Sequence, residues 1–254
     1  MDNRTVFDRV PEQFDRWRPR YCAELFADLI AYAKLGPDTT VLEVGPGTGQ
    51  ATEPILKTGC NYTAIELSDV FAQMMSRKFG SYDNFQLINA DFETYDFESG
   101  HYDLVYSAAA FQWIPETLGY PKAYAMLKPG GAFAMLMMRP DIRPGGGYTD
   151  EPLYSEIQKV YTAYFHPETP YKCKLDYDAR GKYGFTDPER REYLKTRTYS
   201  ADDYLLLIGT HSDHITLKEP YRTKFFAGIR DAIQNAGGTI TLYDKITLYL
   251  ARKP

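Results

Sequence analysis

What this sequence holds little of narrows its possibilities before any motif is considered. Among 254 residues there are three cysteines, four histidines and two tryptophans. Cys22, Cys60 and Cys173 lack the spacing of a disulfide framework or a zinc site, so buried thiols in a reducing, cytoplasmic setting are expected. No apolar run approaches the roughly 20 residues that a membrane helix needs, and the start has no apolar signal region. Nor is there a basic excess. A net charge of −5 argues against a nucleic-acid footprint, and neither nucleic acid nor membrane is expected as a partner. Of the histidines, only His211 and His214 lie close together, and no cysteine or acidic cluster completes a metal set around them. No metal and no catalytic triad is expected, and His211 stays as a candidate on the substrate side.

What is present is a core and a loop. Hydrophobic residues at 44% and aromatics at 15% suffice for one large domain, or one domain with an insertion. The run Val41-Leu42-Glu43-Val44 ends abruptly in Gly45-Pro46-Gly47-Thr48-Gly49-Gln50, and a helix-compatible segment from Ala51 to Lys57 follows. Strand, glycine turn and helix form the geometry in which a backbone can approach a nucleotide-like ligand, because glycine tolerates positive φ and has no Cβ. About twenty residues after Gly45 a second apolar run, Tyr62-Thr63-Ala64-Ile65, ends in Glu66. A carboxylate so placed can accept hydrogen bonds from both hydroxyls of a ribose.

The glycine spacing discriminates between cofactors. A dinucleotide fingerprint reads G-x-G-x-x-G, whereas Gly45, Gly47 and Gly49 give G-x-G-x-G, with Gln50 in the place of the last fingerprint glycine. Glu43 just before the loop would repel a pyrophosphate and favour a ligand ammonium. These residues resemble the first motif of the class I S-adenosylmethionine-dependent methyltransferases. Further segments resemble that family in order: Phe85 to Phe92, Tyr102 to Ser107 running into Ala108-Ala109-Ala110-Phe111-Gln112-Trp113-Ile114, and Met126 to Met135 as helix end, Pro-Gly-Gly turn and fifth strand. The resemblance covers roughly residues 35 to 140. Phe14 to Tyr21, with Arg18-Pro19, resembles the opening segment of the small-molecule type 11 group. Within that group the Ala-Phe-Gln-Trp-Ile and Thr-Tyr-Ser-Ala-Asp-Asp-Tyr stretches look most like trans-aconitate-type enzymes.

The resemblance implies S-adenosylmethionine as cofactor, S-adenosylhomocysteine as product, and a set of contacts. Arg18 would meet the methionine carboxylate; Glu43, Gly45, Gly47, Thr48 and Gly49 would form the loop side; Glu66 and Leu67 would hold the ribose. Ala90 and Asp91 would meet the adenine, with Phe92 against its ring, and Ser107 and Phe111 would close the site. Gln112 and Trp113 stand where ligands bind outside the carboxyl ends of a parallel sheet, as candidates for the acceptor side. Methyl transfer from a sulfonium needs positioning and desolvation more than a nucleophile, so the missing triad suits it. The acceptor is expected to be a small molecule and the protein a monomer or homodimer. A non-catalytic cofactor-binding sensor and an NAD-dependent dehydrogenase are the alternative readings.

The expected fold is α/β, Rossmann-like and doubly wound, with a mostly parallel seven-stranded sheet, an antiparallel C-terminal strand and a cap insertion after the fifth strand. One domain over residues 1–254 is expected. Residues 1–36 would form cofactor-covering helices, 37–138 the cofactor-binding core, 139–190 the cap and 191–254 the C-terminal part of the sheet. Helices are expected over 20–34, closed by Gly36-Pro37, after the glycine loop to near Gly59, from a Ser68 cap, from a Ser200 cap to Leu207, and over 218–236. The cap carries Tyr148, Tyr154, Tyr161, Tyr164, Tyr171, Tyr177 and Tyr183, with Tyr193 just beyond, as pocket walls or as a second packing layer. Residues 1–21 and about 140–190 would close over bound ligand.

Overall fold

The computed structural model describes residues 3–141, 143, 152–167, 173 and 175–254. Tyr148, Tyr171 and residues 144–147 of the expected Pro/Gly-rich break lie outside the described residues. Strands β1 (Thr40–Val44), β2 (Asn61–Glu66), β3 (Phe85–Asn89), β4 (Tyr102–Ala108), β5 (Leu127–Asp141), β6 (Thr186–Ser200) and β7 (Thr239–Arg252) form one seven-stranded sheet. Its order is β3-β2-β1-β4-β5-β7-β6, with β1 to β5 parallel and the C-terminal strands antiparallel. The doubly wound α/β architecture follows from the strand–helix alternation.

Contacts gather into two compact units. The larger comprises Pro19–Met138, Cys173–Tyr193 and Ile246–Pro254; the smaller comprises Met1–Arg18, Arg139–Lys172 and Leu194–Lys245. The stretch 139–190, expected as one insertion, is thus shared between them. In the larger unit both faces of the sheet are covered, which is why its strands read as continuous apolar runs. Val41, Tyr62, Ala64, Leu104 and Tyr106 pack on one face with helix α2 (Ala23–Ala33) and helix α3 (Thr52–Leu56). Leu42, Val44, Ile65, Val105 and Phe133 face the other way, toward Tyr120, Ala123 and Met126 of α5 (Glu116–Met126). Helix α4 (Asp69–Phe79) is capped by Ser68, whose hydroxyl accepts from Phe71 N at 3.1 Å.

The smaller unit contains α1 (Pro11–Trp17), α6 (Pro152–Tyr164), α7 (Ala201–Ile208), α8 (Ser212–Ile215) and α9 (Tyr221–Asn235). Its core joins Ile157, Tyr204, Leu205, Phe225, Ile229, Ile240 and Leu242. Ser200 caps α7 by accepting from Asp203 N at 3.1 Å.

Several boundaries differ from the sequence reading. Helix α2 ends at Ala33, not at Gly36-Pro37, because Lys34 adopts φ 52° and Leu35 N returns to Ile30 O at 3.1 Å. Strand β3 stops at Asn89, before Asp91, where a turn begins. The expected Pro-Gly-Gly turn lies inside β5: one residue of β4, Asp103, faces four of β5 between the Tyr102–Leu127 and Leu104–Ala132 pairs. Gly130 (φ +76°) lies in that bulge, where its N–H bonds Lys253 O at 2.8 Å. Strand β5 also continues through Arg139-Pro140, near its end where a missing N–H is tolerated. Strand β6 starts at Thr186, inside the expected cap; Pro188 fits there because β6 is the edge of the sheet. Helix α9 begins at Tyr221, after Pro220, not at Lys218. Of the three thiols only Cys60 is buried. Cys22 sits half-buried at a helix start, and Cys173 is exposed outside any regular element.

Candidate functional site

The carboxyl ends of β3, β2, β1 and β4 lie side by side in the larger unit, and the chain leaves each of them through an expected site residue. After Val44 the loop turns on Gly45 (φ +66°), Gly47 (φ +61°) and Gly49 (φ +87°), all in the region that favours glycine. Two of these positions are also sterically closed. A Cβ on Gly45 would stand 2.5 Å from Ala110 Cβ, and one on Gly49 would stand 2.5 Å from Phe79 Cε2. Gly45 N donates to Ile65 O at 2.9 Å and Ser107 Oγ to Val44 O at 2.7 Å, joining the loop to β2 and β4. The buried Thr48 hydroxyl accepts from Gln50 Nε2 at 2.6 Å.

Glu66, 6% exposed at the end of β2, closes on this loop. Its Oε2 accepts from Gly47 N and its Oε1 from Ser68 N, both at 2.9 Å. A carboxylate has about four acceptor positions, more than these two N–H groups use. Ala90 N donates to Glu66 O at 3.0 Å, which carries the end of β3 alongside, and half-buried Leu67 follows Glu66. Asp91 is half-buried and its Oδ1 accepts from Glu93 N at 2.9 Å. Phe92 and Phe111 are buried against each other with ring centroids 6.1 Å apart, so both shape the site from inside the core.

Glu43, near the end of β1, lies inside the core. A strand alternates its side chains, so Glu43 shares the face of Val41, and the register sets it opposite Ala64 and Tyr106. Its carboxyl is therefore fully buried. Thr52 Oγ1 and Tyr62 Oη each donate to Oε2 at 2.5 Å, and Tyr106 Oη bonds Tyr62 Oη. Burial, partly offset by these hydroxyls, pushes the Glu43 carboxyl up to about 7. A folded-state value above the ordinary 4.5 gives stability that is fully present below about 4.5 and lost as pH rises through about 7. Between pH 5 and 6.5 the wild type is expected to lose about 2 kcal/mol relative to a Glu43→Gln variant, readable from urea unfolding at the two pH values. Equal changes in both proteins would mean that Glu43 does not titrate in this window.

The acceptor-side candidates are placed next to the loop. Ala109 adopts φ 54°, and its carbonyl accepts from Gln112 Nε2 at 2.8 Å. Gln112 is 9% exposed, while Trp113 is half-buried in the same 3-10 turn, Phe111–Trp113.

Arg18 and His211 belong to the smaller unit, apart from the residues above in the chain's division. Arg18 Nη2 donates to Thr210 O at 2.8 Å, and its guanidinium lies 5.0 Å from the centre of the Phe14 ring. Burial, then the Arg18 and His214 charges, hold the His211 imidazole well below its usual range, so it is neutral at pH 7. The His214 ring bonds Tyr161 Oη at 2.9 Å through Nε2. The described tyrosines of the expected cap are engaged in packing. Tyr161 sits with Phe165 and Phe225, Tyr177 stacks on Tyr249, and Tyr183 stacks on Tyr120.

Sequence reasoning missed the supports beneath and behind the loop. Lys78 Nζ donates to Thr48 O at 2.7 Å and Arg20 Nη1 to Gly49 O at 3.4 Å. Lys78 falls in the last turn of a helix, where a cation reads as a dipole partner, and nothing local ties it to the glycine loop. Tyr62 and Tyr106 were legible as strand residues only.

Residues 42–135 match the family model described as Methyltransferase domain. The chain is 32% identical over 129 residues to a malonyl-[acyl-carrier protein] O-methyltransferase of Marinomonas sp., covering 49% of this chain and 47% of that protein. It is 44% identical over 63 residues to a ribosomal RNA small subunit methyltransferase A of Dehalococcoides mccartyi, covering 25% of this chain and 22% of that one. The chain thus spans between about a fifth and a half of the length of these curated relatives. In fold it is similar to a Haemonchus contortus phosphoethanolamine N-methyltransferase 2 solved with phosphomonomethylethanolamine and S-adenosylhomocysteine. That likeness has a TM-score of 0.57 at 16% identity, over 100% of this chain and 60% of the other.

Proposed function

We propose, from a chain whose residues 42–135 match a methyltransferase domain, that the protein transfers a methyl group from S-adenosylmethionine to a small-molecule acceptor. The observation that carries this reading is the closure of Glu66 on the glycine loop, with its carboxylate 2.9 Å from Gly47 N at the adjoining carboxyl ends of β1 and β2. That arrangement suits a ribose whose two hydroxyls donate to Glu66 while the chain from Gly45 to Gly49 lies close against the ligand. Asp91 offers an acceptor to the adenine amino group, and Ala90 and Leu67 flank it. When bound, S-adenosylmethionine supplies a methyl group on a sulfonium, already activated for displacement. The protein's part is then to hold the acceptor in line and keep water out. Gln112 and Trp113, which follow Ala110 where it packs on Gly45, are the candidates to border the acceptor.

The malonyl-[acyl-carrier protein] relative, by its name, methylates an oxygen of a small acyl group held on a carrier protein, so the reacting part of its acceptor is small. Calorimetry with S-adenosylhomocysteine and with NAD tests the cofactor. Binding of the former and none of the latter is expected; the reverse would overturn the reading in favour of a dehydrogenase. Release of S-adenosylhomocysteine in the presence of small carboxylates, phenols and amines tests catalysis. Tight cofactor binding with no turnover in any of these classes would leave a non-catalytic binder.

A further inference from the structure

The carboxyl of Glu43 is walled in on every side, and only one of its oxygens is served. Oε2 takes hydrogen bonds from Thr52 of α3 and Tyr62 of β2, whereas Oε1 is buried without a hydrogen-bond partner. The groups that face it from β2, β4 and α3 are the hydroxyls of Tyr62, Tyr106 and Thr52, and the buried Cys60 thiol lies in the field of Tyr106. A carboxylate here would leave one charged oxygen with no protein donor, a costly arrangement in a low-dielectric interior. The neutral acid suits the same atoms. Its proton can be given to Tyr62 Oη, that of Tyr62 to Tyr106 Oη, and that of Tyr106 to Ala51 O, 3.4 Å away at the entry to α3. Thr52 still donates to Oε2. Both protonation states thus keep the chain of hydroxyls connected, which allows the group to switch without unfolding its surroundings.

We propose that Glu43 is a buried acid that exchanges its proton within the folded protein. Its ionisation, coupled to cofactor charge, sets how strongly the site distinguishes S-adenosylmethionine from S-adenosylhomocysteine. This rests on the methyltransferase reading above. Glu43 is two peptide units before Gly45, so their Cα atoms are at most about 7 Å apart and a ligand on the loop lies within range of its charge. Substrate cofactor and product differ by the one positive charge on sulfur. A cation above the loop favours the ionised carboxyl, and the neutral thioether does not. By linkage, affinity for the cationic form must rise relative to the neutral form as pH passes through the Glu43 transition. Glu43 therefore acts as a positioning and discriminating residue below the site, and product release is favoured where the carboxyl is ionised.

Dissociation constants for both ligands, measured by calorimetry from pH 5.5 to 8.5 on wild type and Glu43→Gln, test the idea. In wild type the ratio Kd(S-adenosylhomocysteine)/Kd(S-adenosylmethionine) is expected to rise about tenfold for each pKa unit of coupling, beyond any change in the variant. The ligands' own amino groups titrate alike with both proteins, so the difference between the two curves isolates Glu43. If Glu43→Gln does not fold, Tyr62→Phe removes one donor to the carboxylate and should shift the wild-type midpoint to higher pH. A ratio with the same pH course in wild type and in the folded variants would overturn the proposal. Failure of either ligand to bind at any pH would overturn the methyltransferase reading itself, which is a separate result.

Discussion

A Glu66→Ala protein is expected to bind S-adenosylhomocysteine roughly 2–4 kcal/mol more weakly than wild type, about 30- to 1000-fold in Kd. Two charge-assisted bonds to ribose hydroxyls would contribute about 1.5–3 kcal/mol each, less what water replaces at the mutated site. The structure adds a second loss, because Gly47 N and Ser68 N both donate to this carboxylate. Removing it leaves the loop N–H without its acceptor and frees the turn to sample conformations that do not suit a ligand. Glu66→Gln keeps acceptor capacity on one atom and should lose less than Glu66→Ala. Calorimetry with far-ultraviolet circular dichroism as a fold control makes the comparison. An intact Glu66→Ala protein with unchanged affinity would remove Glu66 from the site.

Arg197→Met should lower the unfolding free energy by about 3–5 kcal/mol. Asp244 is fully buried in β7, and Arg197 of β6 meets it with both Nε and Nη2, the latter at 2.7 Å from Oδ1. Truncating the arginine strands a carboxylate in the interior, and the loss reflects that isolated charge more than the value of the pair. The double variant Arg197→Met with Asp244→Leu should therefore recover much of the stability, since an apolar pair of similar volume can match a buried ion pair. Urea unfolding of the wild type, the single variant and the double variant would show it. A single variant within about 1 kcal/mol of wild type would mean that Asp244 finds another partner or water.

The parts of the site that could be read from the chain alone share a property. Gly45, Gly47 and Gly49 are needed for backbone conformation, and Ser68 and Ser200 for helix caps, so each acts within a few residues of itself. Glu66 was found because the length of a strand–turn–helix–strand unit nearly fixes where the second strand ends. Strand identity was legible for the same local reason: β-branched and aromatic runs bounded by turn residues. Where boundaries slipped, at β5 and β6, proline and glycine signals that usually end a strand were absorbed by a bulge and by a sheet edge.

The roles of Glu43, Tyr62 and Tyr106 had to wait for the tertiary structure. In a sheet covered on both faces every position is apolar or buried, so alternation does not reveal which way a given side chain points. Only the register, with Glu43 opposite Tyr106, converges the hydroxyls on one buried carboxyl. The same holds for Lys78 and Arg20, whose contacts with the loop bridge thirty and twenty-nine residues of chain. The sequence by itself determined the α/β class, the glycine loop and the acid that closes on it, because these depend on short-range conformation and nearly invariant spacing. The burial of Glu43 among hydroxyls, and the spending of Tyr161, Tyr177 and Tyr183 on packing, were decided by long-range pairing, which no local pattern encodes.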